Sequence, residues 1–248
     1  MYPYLDMMGY RIESYNVLTL LALVTTSIYF YHSLTSISIK KNEVITYILA
    51  RFFVAIPGGM IIPFMNWWIY RHQAPWLDVW HRSPGRYFHS VFLSLLVYTL
   101  LACKFWSWPT RKILDRFMVA ILLGSAIGRI GCILQGCCQG QPCDLPWAIH
   151  LPPHLEIARH PVQIYMFVIE SIMLFLLWRY SKKLKRDGEL FWVCLLCYSV
   201  YRFLIEFLRI NRVAAFGLTH AQLFSVFSFG LSVYFLSISK KSSSKNEK

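Results

Sequence analysis

Five ionisable side chains stand inside, or at the edge of, stretches that are otherwise apolar: Arg129, Glu170, Arg202, Glu206 and Arg209. A charge at the centre of a membrane helix costs about 2.5–3.5 kcal/mol even on insertion scales. Five of them facing lipid unpaired would cost on the order of 10 kcal/mol or more. A chain that keeps them must turn them inward and pair them. Tyr198, Arg202, Glu206 and Arg209 follow one another at intervals of four, four and three, which puts them on one helix face. An internal salt bridge locking the helix to its neighbours is the plain reading. Three charges and a phenol on a face otherwise made of Phe, Leu and Ile favour a functional one.

A second constellation is Gly124-Ser125-Ala126-Ile127-Gly128-Arg129-Ile130-Gly131-Cys132. Gly124 and Gly128 form a small-xxx-small face that lets another helix approach closely. By itself this pattern means packing. Arg129 beside it can aim its donors into a shared cavity, and a guanidinium grips phosphate oxygens in pairs. The next segment, Gln135-Gly136-Cys137-Cys138-Gln139-Gly140-Gln141-Pro142-Cys143, has the glycines and proline of an irregular loop. On the outer side of a membrane a disulfide between Cys143 and Cys137 or Cys138 is open to it. Zinc fits poorly, because paired CxxC spacings and matching histidines are missing. Taken singly, each cysteine reads as a buried packing thiol; Cys194 and Cys197 read as small apolar residues.

These groups must be carried by membrane helices. The chain has 248 residues, 56% of them hydrophobic and only 15% charged, which excludes a soluble domain. Apolar runs predict an all-α, polytopic bundle of about seven spans: 17–34, 46–70, 87–107, 117–136, 162–180, 190–209 and 221–239. Pro57, Gly58, Gly59 and Pro63 predict a break or kink in the second, and Arg51 is expected to snorkel from its cytoplasmic end. The polar, aromatic segments 71–86 and 137–161 are expected to build an outward-facing site. One domain is expected over 1–239, then a disordered basic tail over 240–248.

The net charge of +13 does not point to nucleic acid, because of where the charges lie. They cluster in every second connection: Lys40 and Lys41; Lys104, Arg111, Lys112 and Arg116; Arg179, Lys182, Lys183, Lys185 and Arg186; Lys240, Lys241, Lys245 and Lys248. The alternate connections contain no lysine. That is the positive-inside pattern, and it puts the C-terminus in the cytoplasm and the N-terminus outside. The N-terminus lacks a basic n-region and a small-residue cleavage site, so the first apolar run is expected to stay as a helix.

Gly128-Arg129-Ile130-Gly131, followed by Gly136 and Gly140, resembles the signature of the bacterial prolipoprotein diacylglyceryl transferase family. Arg159-His160-Pro161-Val162-Gln163-Ile164-Tyr165 resembles that family's RHPxQ[LI]Y motif, with Glu170 following at the family's distance. Arg202, Glu206 and Arg209 resemble its late motif, Phe88-His89 its FHG segment, and Tyr15 its early tyrosine. The order is the family's along most of the chain. There are departures. Cys132 stands where the family has asparagine, and Cys137 where it has glutamate. Ser90 and Val91 replace the glycines of the FHGG segment, Met60 ends what is a Gly-Gly-Arg, and Met166 replaces the glutamate after Tyr165.

The resemblance implies transfer of a diacylglyceryl group from phosphatidylglycerol to the lipobox cysteine of a preprolipoprotein, in the bacterial cytoplasmic (inner) membrane. Glycerol phosphate leaves. It implies no metal and no organic cofactor. Arg129 and Arg202 are the candidates for holding the phosphate, with Glu206 orienting one of them. His89 is the candidate base for the incoming thiol; an interfacial histidine bonded to backbone is the equal alternative. Tyr15, Gly140, Arg159, His160, Gln163, Tyr165, Glu170, Tyr198 and Arg209 are expected to line the substrate site. Two rivals stand beside this reading. One is a transferase of the same fold with another lipid donor or acceptor, which Cys132 and Cys137 favour. The other is a non-catalytic phospholipid-binding or transport protein, against which the lack of two related halves counts.

Overall fold

Long apolar runs without water to satisfy their backbone must close their hydrogen bonds internally, and helix is how this chain does it. The computed structural model describes residues 4–7, 10–70, 87–151, 154–181, 186–210 and 217–246. Seven α-helices occur among them: α1 Ser14–Thr35, α2 Lys41–Tyr70, α3 Tyr87–Phe105, α4 Thr110–Gln135, α5 Val162–Ser181, α6 Glu189–Ile205 and α7 His220–Asn246. Six of them, α1 and α3 to α7, are long and apolar enough to cross a membrane. The protein is a multi-pass membrane protein, mostly helical. Two antiparallel hairpins modify the all-α expectation: β1 (Tyr4–Met7) with β2 (Tyr10–Glu13), and β3 (Ile149–Leu151) with β4 (His154–Arg159).

The chain divides into two compact units, residues 1–26 with 118–248, and residues 27–117. In the second unit α2 packs on α3. Gly58 permits that approach, since a Cβ there would lie 2.6 Å from the Ser94 Cβ. Of the break or kink expected at Pro57 and Pro63, the break does not occur: helical backbone runs from Lys41 to Tyr70. Prolines are tolerated in membrane helices when neighbours and small local adjustments satisfy the freed carbonyls. Arg51 does not snorkel either. It is buried, hydrogen-bonds Ser27 Oγ at 2.8 Å and lies 4.9 Å from the Phe30 ring centroid. Polar pairs tie this unit further: Tyr47 Oη with Thr99 Oγ1 at 2.8 Å, and Trp108 Nε1 donating to Glu43 at 2.9 Å.

In the first unit α5 packs on α6 and α6 on α7. The α5 core stripe is Val162, Met166, Glu170, Met173 and Leu177, steps of three and four that keep one face inward. Against α7, α6 offers Ser199, whose hydroxyl meets Ser228 Oγ at 2.7 Å, and Trp192, which stacks on Phe235 at 4.2 Å. Small serines let the two helices come close. α7 starts with a capping box: Thr219 N–H donates to Gln222 Oε1, and the Gln222 N–H donates back to Thr219 Oγ1. The helix continues through Lys240 to Asn246, where the composition predicts disorder; lysine and serine lengthen an existing helix at little cost. The segment 71–86, expected on the outer side, lies outside the described residues.

Candidate functional site

The site is best followed from the end of α6 outward. Arg202 on α6 ion-pairs with Glu206 one turn on, Nη1 to Oε2 at 2.6 Å, both side chains buried. At Glu206 the α-helix tightens into a 3₁₀ turn, Glu206–Leu208, and Arg209 leaves it in extended conformation. The four residues read onto one α-helical face therefore divide: Tyr198 and Arg202 sit on α6, while Glu206 and Arg209 belong to the turn and its exit. The 3₁₀ geometry stacks residues three apart, and Arg209 Nε still reaches Glu206 Oε2 at 3.8 Å. Thr219, at the head of α7, donates to the other carboxylate oxygen at 2.9 Å. Glu206 is thus gripped by three groups.

Arg129, from α4, has its own partner. Its Nε lies 3.5 Å from Glu170 Oε1, and Glu170 is fully buried on α5. Tyr201 donates to the same oxygen at 2.5 Å. Tyr201 is the residue before Arg202 on α6, so this helix touches both ion pairs. The four charges form two buried or nearly buried ion pairs, Arg129 with Glu170 and Arg202 with Glu206. Tyr15, at the start of α1, packs against α4: a Cβ on Gly131 would sit 3.2 Å from its ring. Gly124 and Gly131 are close-approach glycines of α4, against Thr26 and against Tyr15 with Leu18; a Cβ added at Gly128 would meet no neighbouring element within 4 Å among the described residues.

Residues 137–143 are stitched between two strands of motif. Gly140 N–H donates to His160 O, His160 N–H to Gln141 O, Cys143 N–H to Ala158 O, and Gln141 N–H to Leu208 O at 2.8 Å. Gly140 is required by space. An added Cβ would lie 2.6 Å from the His160 Cβ and 2.7 Å from its carbonyl oxygen. Arg159 is buried and donates from Nη1 to the Gly140 carbonyl at 3.4 Å. Gln163 donates to the Cys137 carbonyl. Tyr165 accepts from Trp147 Nε1 at 2.7 Å, with its ring edge-on to His160 at 6.2 Å. His89 stands on α3, in the other unit.

The cysteines extend the sequence reading. All seven are free thiols, so of the states the sequence leaves open to Cys143 the structure has the unpaired one. Cys132, Cys137 and Cys138 instead gather with their sulfurs within 4.8 Å of one another. Outside the span, Cys138 is held well below the usual thiol range, because the Cys132 and Cys137 thiols donate to its sulfur and Arg209 and Arg129 add positive charge. The same contacts push the Cys137 thiol up. Sequence reasoning misses Tyr201, Thr219 and Trp147. Tyr201 had a signal, a second phenol on the charged stretch; Thr219 had only its capping pattern.

The sequence model of the prolipoprotein diacylglyceryl transferase family matches residues 3–238. The chain belongs to that family. Phosphatidylglycerol–prolipoprotein diacylglyceryl transferases are among its relatives. The one from Campylobacter hominis is 32% identical over 190 residues, 71% of this chain and 67% of that protein. The one from Clostridium tetani is 32% identical over 147 residues, 56% of this chain and 58% of that protein. The one from Methylobacillus flagellatus is 37% identical over 139 residues, 56% of this chain and 52% of that protein. Against these last two, the chain spans little more than half of the relative's length. Every guanidinium and carboxylate of the ion pairs described above falls within the family match.

Proposed function

We propose that this protein transfers a diacylglyceryl group from phosphatidylglycerol to the lipobox cysteine thiol of preprolipoproteins, in the bacterial cytoplasmic membrane. One observation carries the reading: the buried charge of the first unit does not balance. Four buried or nearly buried guanidiniums, Arg129, Arg159, Arg202 and Arg209, face two carboxylates, Glu170 and Glu206, among the described residues. Among the described residues, Arg159 Nε is a buried donor with no hydrogen-bond acceptor, and Arg129 Nε has the Glu170 carboxylate only as an ion pair at 3.5 Å. Surplus positive charge with unsatisfied donors in a low-dielectric interior calls for an anion. A phosphodiester fits, since its oxygens match the guanidinium fork.

In the reaction, the acceptor sulfur forms a bond to the glyceryl carbon. The carbon–oxygen bond to phosphate breaks, and the electron pair leaves with glycerol phosphate. Charge grows on the departing phosphate, and fixed guanidiniums stabilise it without reorganising. Glu206, held by Arg202, Arg209 and Thr219, orients the Arg202 fork. Glu170 does the same for Arg129 while Tyr201 fixes the carboxylate. The thiol proton needs a base, and His89 is our candidate. Tyr15, Arg159, His160, Gln163, Tyr165 and Tyr198 shape the substrate site. We read seven spans, with the N-terminus outside and the C-terminus cytoplasmic, from the alternation of lysine-rich connections.

A second reading has one observation in its favour. Cys132 and Cys137, two departures from the family's pattern, lie together in space, which suits a same-fold transferase with another donor or acceptor. One experiment separates them: purified protein in liposomes with labelled phosphatidylglycerol and a lipobox peptide. Thioether-linked diacylglyceryl peptide plus released glycerol phosphate is the expected result. No product from phosphatidylglycerol, with product from another phospholipid or another thiol acceptor, would establish the second reading. Tight phospholipid binding with no transfer to any acceptor would establish a binding protein.

A further inference from the structure

We infer that Cys132, Cys137 and Cys138 form a three-thiolate site for a soft monovalent cation, Cu(I). The three sulfurs lie within 4.8 Å of one another. A trigonal ion bonded to sulfur at about 2.3 Å needs sulfurs about 4.0 Å apart. Closing the set therefore takes a shift of less than about an ångström, within the reach of side-chain rotation.

The backbone is built to bring them together. α4 ends in a Schellman motif: Cys137 N–H bonds to Cys132 O and Gly136 N–H to Ile133 O, with Gly136 at φ 70°. That motif sets the side chain two past the helix end against the one a turn inside it, here Cys137 against Cys132. Adjacent side chains in extended chain point apart, yet Cys138 joins its neighbour because it is held at φ 60°, the left-handed region that a non-glycine residue rarely occupies. Such a conformation persists only where the surroundings impose it, and it concentrates at functional sites. Gln163 anchors the Cys137 carbonyl from α5.

Electrostatics favours a cation bound through thiolates. The cluster lies at the carbonyl end of α4, where the helix dipole attracts positive charge. Three thiolates around one monovalent ion leave two negative charges. Three sulfur–metal bonds form and three thiol protons leave to solvent. Softness and coordination number select the metal. Thiolates suit Cu(I) and Zn(II); Zn(II) held by three protein ligands keeps a fourth position for water, whereas Cu(I) is complete with three sulfurs. Among the described residues no histidine or carboxylate joins the three sulfurs.

The test is metal uptake and thiol protection on full-length protein in detergent, kept anaerobic. Cu(I) is supplied through a chromogenic chelator. Expected are one Cu(I) per chain and protection from alkylation confined to Cys132, Cys137 and Cys138, mapped by mass spectrometry. Zn(II) at equal concentration should leave that pattern unchanged. Cys137→Ser and Cys138→Ser should each cut Cu(I) affinity at least tenfold, while Cys143→Ser, outside the cluster, keeps it. Protection of other thiols, a site that takes Zn(II) and not Cu(I), or a disulfide among the three in protein isolated without reductant would each overturn the proposal. The readout is binding, so it stands apart from whether the chain transfers lipid.

Discussion

Replacing Arg202 by lysine tests the phosphate clamp without emptying the site of charge. The net charge of the cluster stays the same, so the insertion cost barely changes. Glu206 keeps Arg209 at 3.8 Å and Thr219 at 2.9 Å, so its carboxylate is not abandoned in the interior. What disappears is the fork. Arg202 can hold Glu206 with Nη1, at 2.6 Å, and still offer its other nitrogens to a phosphate oxygen. A lysine ammonium is a single point that must choose between the two. An oriented donor lost from a developing charge costs about 2.7–4 kcal/mol, or roughly a hundredfold to a thousandfold in kcat. If the contact strengthens as charge builds on the leaving phosphate, kcat and kcat/KM fall together while KM stays. The assay is release of labelled glycerol phosphate from phosphatidylglycerol liposomes, with size-exclusion profile and thermal midpoint as folding controls. A well-folded Arg202→Lys protein with wild-type kcat would refute the clamp.

Other perturbations read other contacts. Glu170→Gln leaves the Arg129 guanidinium buried without its countercharge, so it should destabilise the protein by about 3–5 kcal/mol, read as a lowered thermal midpoint in detergent; an unchanged midpoint would mean the pair is not buried as described. Gly140→Ala forces a Cβ to 2.6 Å from His160 and 2.7 Å from its carbonyl, so the 139–143 segment must move, at about 1–3 kcal/mol and with loss of transfer; wild-type stability would count against that packing. Replacing His89 by glutamine should remove the acid limb from the pH–rate profile and slow transfer about a hundredfold or more, and an unaltered profile takes His89 out of the mechanism. Cysteine labels at Tyr4 and Ser243 should react from outside and from the cytoplasm respectively, and reaction from one side only would overturn the topology.

The sequence revealed the charged residues because membrane burial makes them expensive; no soluble protein advertises a site so plainly. It also placed helices on apolar length alone, and six of the spans follow it closely. The pairing of the charges was only half legible. The spacing from Arg202 to Glu206 predicts their contact directly, since residues four apart meet on a helix. Arg129 with Glu170 does not follow from spacing, because it depends on how α4 and α5 pack. The same limit applies to Thr219 reaching Glu206. At Pro57 the local rule failed for the opposite reason: backbone propensity argues for a break, and helix packing against α3 through Gly58 and Ser94 overrides it.

The thiol cluster shows where a pattern search looks in the wrong register. Metal-binding cysteines are sought two or three apart, as in turns and zinc knuckles. Here the relevant interval is five, from Cys132 to Cys137, because the element is a helix end and not a turn. A Schellman cap needs glycine in the left-handed conformation just past the last helical residue, and Gly136 provides it. Once that glycine is recognised as the cap, the contact between the residues at each side of the helix end follows from hydrogen-bond geometry alone. The helix ends there because Gly136 can turn left-handed; the turn brings Cys137 back over Cys132; and Cys138, at φ 60°, completes the set. The two positions that depart from the family's pattern are therefore one structural event, and any account of why this chain carries cysteine at one of them must explain the other.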